Sequence, residues 1–220
     1  KNVVDGKAVL VLSNLLVKTY DLSVSYSGDN HYYPIQMNTT FSIKTLLSSI
    51  DVDVCDVKYM ESVVIKANVT DGATGSVIFS IGNITKTVRL INSTAVLEIS
   101  NLDAGKYNVT AKYVGDSIYT SSQTSKSFNV YKKESEVNVV VNSVVVGENI
   151  RIYAVVSPNA TGNVSFRMLG YYSPRNKTIN GNNASWLISP LKTGQYTVIA
   201  IYNGDNNYYS SNTTYYLSVN

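Results

Sequence analysis

Tyr113-Val114-Gly115-Asp116 decides the architecture of this 220-residue chain, because the phrase recurs as Tyr26-Ser27-Gly28-Asp29 and as Tyr202-Asn203-Gly204-Asp205. The three glycines lie 87 and then 89 residues apart. The match continues upstream. Leu102-Asp103-Ala104-Gly105-Lys106-Tyr107 aligns with Leu191-Lys192-Thr193-Gly194-Gln195-Tyr196 and more loosely with Leu15 to Tyr20. Earlier still, Ala73-Thr74-Gly75-Ser76-Val77-Ile78-Phe79 aligns with Ala160-Thr161-Gly162-Asn163-Val164-Ser165-Phe166. Self-similarity at a fixed period marks a repeat architecture. The chain reads as one partial and two complete copies, with expected boundaries 1–44, 45–131 and 132–220.

Within a copy the apolar period is two. Tyr107, Val109, Ala111 and Tyr113 alternate with Lys106, Asn108, Thr110 and Lys112, and Tyr196, Val198, Ala200 and Tyr202 repeat the pattern. That is one buried and one wet face of a strand. Ile65-x-Ala67-x-Val69, Val77-x-Phe79, Leu97-x-Ile99 and Phe128-x-Val130 read the same way, separated by turn signals at Asp71-Gly72 and Ser157-Pro158-Asn159. No stretch carries a helical apolar stripe. About seven short strands per copy predict an immunoglobulin-type β-sandwich. Leu-x-x-Gly-x-Tyr puts Tyr107 and Tyr196 at the start of the sixth strand. There a tyrosine corner would lay the ring on the core edge and bond the hydroxyl to the preceding turn. Gly105 and Gly194 are expected to permit a turn conformation that a side chain would resist. Ala111 and Ala200 stand in the middle of that strand, where antibody domains carry a disulfide cysteine.

Composition agrees with strands. Hydrophobic residues make up 44% and charged residues only 15%, while Tyr supplies 18 of the aromatics. Average soluble domains are about 25% charged, and the deficit is filled by 24 Asn, 27 Ser and 18 Thr. That balance excludes disorder and coiled coils. The net charge of +3 is spread along the chain, with Lys132-Lys133 the one basic doublet, so no nucleic-acid partner is expected. No run reaches the length of a membrane span, and Lys1-Asn2-Val3 opens no signal peptide; the chain reads as a piece of something longer.

The combined pattern, Gly-x-Val-x-Phe followed by Leu-x-x-Gly-x-Tyr-x-Val-x-Ala-x-Tyr-x-Gly-Asp-x-x-Tyr, resembles the bacterial-type Ig-like tandem repeats of adhesin-like cell-surface proteins. The Asn-, Tyr- and Ile-rich composition is most similar to those of methanogenic archaea. The resemblance implies an all-β fold of tandem immunoglobulin-like sandwiches in a rod-like array, an extracellular, cell-surface location, and a role as stalk, spacer or ligand-binding tip. The first copy departs from the pattern, since Lys18 replaces the turn glycine and nothing before the fifth strand is present.

Enzyme chemistry lacks its constellation. His31 is the one histidine and sits beside the Gly28-Asp29-Asn30 hairpin, about a domain away from Cys55, the one cysteine. A Ser-His-Asp or Cys-His arrangement would have to use them. They read instead as a hairpin histidine and an isolated thiol. Zinc lacks ligands, and no phosphate-binding glycine motif follows a strand. Ca²⁺ wants several carboxylates, whereas each Gly-Asp loop offers one, Asp29, Asp116 or Asp205. Those phrases read as hairpin formers, with Tyr32, Tyr119 or Tyr208 folding back onto the core. An isopeptide crosslink is disfavoured because Lys66, Lys112 and Glu98 fall on outward positions. No catalytic residue, cofactor or metal is expected.

Glycosylation is better supported. Asn-x-Ser/Thr occurs at Asn38, Asn68, Asn83, Asn92, Asn108, Asn159, Asn163, Asn176, Asn183 and Asn212, and the alternation puts Asn68 and Asn108 on wet faces. The expected role is a non-catalytic surface module, acting as a stalk or in attachment to other cells or surface glycans, with neighbouring Ig-like repeats as partners. The alternative is a carbohydrate-binding or accessory domain of a larger surface enzyme. Its candidate stacking aromatics are Tyr171, Tyr172, Tyr208 and Tyr209, with Tyr215-Tyr216 beside them.

Residues 1–44 carry a further expectation. Alignment on the later copies makes Ala8–Ser13 a fifth strand, Thr19–Tyr26 a sixth and Thr39–Lys44 a seventh. Three strands alone leave Leu10, Leu12, Tyr20, Leu22, Val24 and Tyr26 on an open apolar face. Such a face invites self-association or a retained upstream fragment.

Overall fold

The computed structural model describes all residues, Lys1–Asn220, as seventeen strands joined by turns and loops. In chain order these are β1 Thr19–Tyr26, β2 Ile35–Ser42, β3 Ile50–Val54, β4 Val57–Lys58, β5 Val63–Val69 and β6 Ser76–Ile81. Next come β7 Ile84–Arg89, β8 Thr94–Ile99, β9 Gly105–Tyr113, β10 Ser122–Tyr131, β11 Val137–Val141 and β12 Ile150–Val156. The chain ends with β13 Asn163–Met168, β14 Tyr172–Thr178, β15 Asn183–Ile188, β16 Gly194–Tyr202 and β17 Ser211–Val219. The fold is all-β, as its alternating sequence requires, with tandem sandwich-like domains. No helix is long and apolar enough to cross a membrane.

The chain forms two compact units. One comprises Lys1–Asp53, Ile65–Leu97 and Asn108–Lys126; the other comprises Val54–Val64, Glu98–Tyr107 and Ser127–Asn220 and contains the whole third copy.

The third copy shows the construction plainly. Its sheets run β11-β12-β15 and β14-β13-β16-β17. Between them lie Ile150, Ile152, Val164, Phe166, Met168, Trp186, Ile188, Val198, Tyr202 and Leu217, all buried. Every second residue of β12, β13, β15 and β16 belongs to this core, so the period-two pattern is what closes the sandwich. Phe166 and Trp186 meet at 6.0 Å between ring centroids. A fully buried side chain of this size contributes about 1.5–3 kcal/mol relative to exposure.

The middle copy departs from seven strands. Its sheets are β3-β5-β8 and β4-β10-β9-β6-β7. The first strand breaks at Cys55-Asp56, and its second part, β4, pairs parallel with β10 through Val57↔Val130 and Lys58↔Tyr131. The Asp56 carboxylate explains the attachment. It accepts hydrogen bonds from Asn129 N (2.7 Å) and the Tyr131 hydroxyl (2.8 Å). These partners, the Asn129 amide foremost, hold its pKa below the usual carboxylate range.

In the first copy two of the three expected strands form, the later one at Ile35–Ser42 rather than at Thr39–Lys44. β1 and β2 pair antiparallel from Thr19↔Ser42 to Tyr26↔Ile35. Ala8–Ser13 is not a strand. The third copy supplies the reason: β15, the counterpart of Ala8–Ser13, pairs with β12 in the opposite sheet and not with β16. Residues 1–44 contain no counterpart of β12, so Ala8–Ser13 has no strand to bond.

The tyrosine hydroxyls at the sixth strand reach back four residues in all three copies: Tyr20 to Leu16 O (3.0 Å), Tyr107 to Asp103 O (2.9 Å) and Tyr196 to Lys192 O (2.7 Å). Tyr196 is buried and Tyr107 half-buried, the latter stacked on Phe128 at 5.5 Å. The expectation for the adjoining glycines divides. Gly105 has no positive φ, and an added Cβ would touch only the Tyr107 ring edge at 3.8 Å; Gly194, at φ 158°, holds a backbone conformation that side chains rarely adopt. Glycine is therefore not required conformationally at Gly105. Lys18 at the matching place in the first copy agrees, its Nζ lying 4.6 Å over the Tyr20 ring.

Tyr196→Phe should lower unfolding free energy by about 1–3 kcal/mol, the cost of leaving a carbonyl without its donor. Gly105→Ala should stay within about 0.5 kcal/mol of the parent. Paired chemical denaturation curves check both.

Candidate functional site

The Gly-Asp loops are the most strongly repeated local structure, and their geometry states their task. In the third copy Asp205 Oδ1 accepts from Asn207 N (2.7 Å) and Tyr208 N (2.8 Å). Its Oδ2 accepts from Thr161 N (2.8 Å) and Thr161 Oγ1 (2.9 Å) on the β12–β13 loop. Asp116 does the same with Ile118 N, Tyr119 N and both donors of Thr74. Each carboxylate is thus saturated by four donors that clasp two loops together. Gly204, at φ 77°, has no room for a side chain, since a Cβ would sit 2.9 Å from Tyr208 O.

Burial acts to raise the pKa of Asp205, but the bonds from Thr161, Asn207 and Tyr208 outweigh it and hold it at about 2. Asp116 is likewise driven well below the carboxylate range despite burial. The neighbouring Tyr113 and Tyr202 hydroxyls are buried without a hydrogen-bond partner. Burial first, and the adjacent Asp116 second, pushes Tyr113 up to about 12; Tyr202 is raised for the same reasons, with Asp205 as the carboxylate. The first copy differs in an informative way. It has no threonine loop, and the free oxygen, Asp29 Oδ2, accepts from the Tyr26 hydroxyl at 2.6 Å, while Oδ1 takes His31 N and Tyr32 N.

The aromatic residues of the loops separate. Tyr208 is 2% exposed, and its hydroxyl donates to Pro158 O at 2.9 Å. It is therefore core, which corrects its candidacy as a stacking platform. Tyr119 is half-buried and bonds Asp71 O, whereas Tyr32 is exposed because residues 1–44 offer no matching loop to receive it. Tyr171 is 59% exposed and meets the Tyr196 ring edge-on at 4.8 Å; Tyr172 is half-buried, edge-on to Trp186. Tyr209 and Tyr216 are exposed and Tyr215 is half-buried. These rings lie on separate loops and strands rather than on one flat platform.

The sequon asparagines are exposed at Asn38, Asn83, Asn92, Asn108, Asn159, Asn163, Asn176, Asn183 and Asn212. Asn68 alone is half-buried, its Oδ1 held by the Thr94 hydroxyl at 3.2 Å. Lys66, Lys112 and Glu98 are exposed. Cys55 is a free, exposed thiol and His31 is exposed.

Several polar residues escaped sequence reasoning. Within the second unit, Asn207 accepts from Ala104 N (2.8 Å) and donates to Asp103 Oδ1 (2.9 Å), and Lys132 Nζ donates to Asp205 O. Asn207 aligns with Ile118, so the repeat gave no signal for it. Ser48 and Ser135 were legible in principle. Ser48 Oγ bonds Thr120 O and Ser122 Oγ, and Ser135 Oγ bonds Tyr209 O and Ser211 Oγ, at matching positions of the two complete copies.

Lowering the pH tests the clasp. The folded-state pKa values of Asp116 and Asp205 lie below the unfolded value near 3.9, so their stabilisation is fully present above about pH 4 and is lost as pH falls through the folded values. Melting temperatures should drop between about pH 4 and pH 2, and the drop should be smaller in Asp205→Asn. The tyrosines have the opposite sign: raised values favour the neutral phenol, and that stability is lost above about pH 10.

The family comparison agrees with this construction. Residues 54–131 and 137–220 match the family model described as "Bacterial Ig-like domain (group 3)". Among solved structures, the chain is similar to the fibronectin(III)-like modules of Clostridium thermocellum CbhA at 16% identity, covering 78% of this chain and 94% of that one, with a TM-score of 0.33. It is also similar to the titin domains Z1Z2 in complex with telethonin, at 16% identity, 81% and 98% coverage and a TM-score of 0.38. A 1.5-MDa bacterial ice-binding adhesin gives 14% identity, 91% and 73% coverage and a TM-score of 0.37. None of the curated proteins compared with the chain matches it. With two matched segments spanning most of its length, the chain belongs to the bacterial Ig-like domain (group 3) family.

Proposed function

We propose that this chain is a non-catalytic module of an extracellular cell-surface protein, organised as Ig-like repeats over 45–131 and 132–220 after the partial copy 1–44, and acting as a stalk or in attachment to other cells or surface glycans. The observation that carries the reading is the use made of the recurring polar residues. Asp116, Asp205, Thr74, Thr161, Ser48 and Ser135, the groups a repeat could offer to chemistry, are all engaged in holding loops and strands to one another. A repeat that spends its recurring carboxylates on its own backbone is built for mechanical integrity. The Asn- and Tyr-rich composition favours a methanogenic archaeal source. The exposed sequons would carry glycans on the wet faces, where they shield the strands without touching the core.

A carbohydrate-binding role is the second reading. It rests on Tyr171 and on Tyr216, which is 76% exposed, since bare aromatic faces are what sugars stack on. Glycan-array and whole-cell binding with the 220-residue chain separate the two. Under the attachment reading, cells or glycans retain the chain, and Tyr171→Ala and Tyr216→Ala bind like the parent. Under the carbohydrate-module reading, one of these substitutions weakens retention roughly tenfold, about 1.4 kcal/mol. A chain retained by neither cells nor glycans is a stalk, with attachment residing elsewhere.

A further inference from the structure

Asn207 joins three segments of the second unit, and each of its polar groups has a partner there. Its N–H donates to Asp205 Oδ1 (2.7 Å), and its carbonyl accepts from Lys133 N (2.9 Å). Its side-chain oxygen accepts from Ala104 N (2.8 Å), and its amide nitrogen donates to Asp103 Oδ1 (2.9 Å). The Asp103 carbonyl in turn accepts from the Tyr107 hydroxyl (2.9 Å). One continuous set of hydrogen bonds therefore runs from the tyrosine corner of the middle copy, through Asp103 and Asn207, to the aspartate clasp of the third. Beside it Lys132 Nζ donates to the Asp205 carbonyl, and Tyr59 meets Tyr208 edge-on at 5.4 Å.

The matching place in the first unit keeps the backbone and changes the side chains. Ile118 aligns with Asn207 and Leu16 with Asp103, while the bridges Leu46↔Tyr119 and Lys133↔Tyr208 match Leu46 to Lys133. The Ile118 N–H donates to Asp116 Oδ1 (2.8 Å), and its carbonyl accepts from Leu46 N (2.7 Å). These are the same two backbone bonds that Asn207 makes. Leu16, Leu46 and Ile118 line one cleft. Three positions at one joint thus change together, from Leu, Leu and Ile to Asp, Lys and Asn. The shared backbone bonds do not account for that change. Side-chain complementarity does, because an amide satisfies a carboxylate and a backbone N–H, and an alkyl group satisfies neither.

We propose that the residue after the corner leucine and the residue two past the loop aspartate form a docking code between successive copies, in which the pair Asp103–Asn207 admits the third copy onto the corner turn of the middle one. Copies this alike invite wrong pairings, and inter-domain misassembly is a failure mode of repeat proteins. The code opposes it. A loop with isoleucine in place of Asn207 leaves the Asp103 carboxylate and the Ala104 N–H facing an alkyl group, so that joint opens to water. Lys132-Lys133 reports the opening, because the closed joint holds Lys133 N on the Asn207 carbonyl and Lys132 Nζ on the Asp205 carbonyl. The inference concerns how copies are joined and does not depend on what the surface module attaches to.

The test uses the 220-residue chain and reads the initial rate of tryptic cleavage at Lys132-Lys133 by mass spectrometry, with amide hydrogen exchange in parallel. Three variants are set beside the parent: Asn207→Ile, Asp103→Leu, and the double variant Asp103→Leu/Asn207→Ile, which restores the apolar pair of the first unit. When opening is fast relative to cleavage, the rate tracks the open population. Asn207→Ile should be cut roughly tenfold faster than the parent. Asp103→Leu should be cut faster by a smaller factor, since Ala104 N keeps its acceptor. The double variant should return to within about threefold of the parent, as facing residues that act as a pair require. Protection along β12 and β16 should stay unchanged throughout, because Ile118 shows that isoleucine at this place keeps the backbone bonds of the clasp. Three results overturn the proposal: Asn207→Ile cut at the parent rate, a double variant cut as fast as Asn207→Ile, or protection lost along β12 and β16 in Asn207→Ile, which would assign Asn207 to the folding of the third copy instead of the joint.

Discussion

The constraint on which this structure rests is the division of hydrogen bonding between two sheets. In the third copy β15 bonds β12 and β16 bonds β13, so strands distant in sequence complete one another and the apolar rows close only when both layers exist. Backbone donors and acceptors are obligatory partners, and leaving them unpaired beside an apolar face is costly. A complete copy meets the requirement with a dry core of alternate residues. The part of the first copy within residues 1–44 does not. Its sixth and seventh strands find each other as a ribbon, while Ala8–Ser13 stays irregular for want of a neighbour.

Upon that frame the repeats set polar fastenings at fixed places. The aspartate clasp joins the loop before the third strand to the loop after the sixth. The parallel bridges Leu46↔Tyr119 and Lys133↔Tyr208 carry the chain entering each copy onto the same Gly-Asp loop. Ser48 and Ser135 then fix the next turn of chain to the start of the seventh strand. Ordinary hydrogen bonds contribute about 0.5–1.5 kcal/mol each, and those to charged groups about 1.5–3. A carboxylate collecting four donors is therefore one of the stronger local devices in such a domain. Its saturation also explains why these aspartates read as architecture: their lone pairs are already committed to the protein's own donors.

The function follows from what the fold leaves on its surface. The buried face of each strand is apolar and spoken for. The wet face carries Asn, Ser, Thr and scattered Tyr, a polar coat without a concentrated charge. Such a surface suits a repeated Ig-like domain.

By itself the sequence determined the strand count of the third copy, the period, the places of the turns and the partnership of each tyrosine with the turn before it. All of these rest on local alternation and on repeated phrases that need no long-range knowledge. Tertiary structure alone decided the rest. Tyr208 and Tyr209 are adjacent and chemically alike, yet Tyr208 packs into the core with its hydroxyl on Pro158 O, and Tyr209 is exposed. Gly105 and Gly204 both have a glycine counterpart in the other complete copy, but only Gly204 stands where a backbone approaches too closely for a side chain. Asn207 and Asp56 owe their roles to partners far away in sequence, Asp103 and Asn129. Ala8–Ser13, the counterpart of β15, is not a strand within residues 1–220, because strand character is a property of the local sequence, whereas a strand is a property of the neighbour that bonds it.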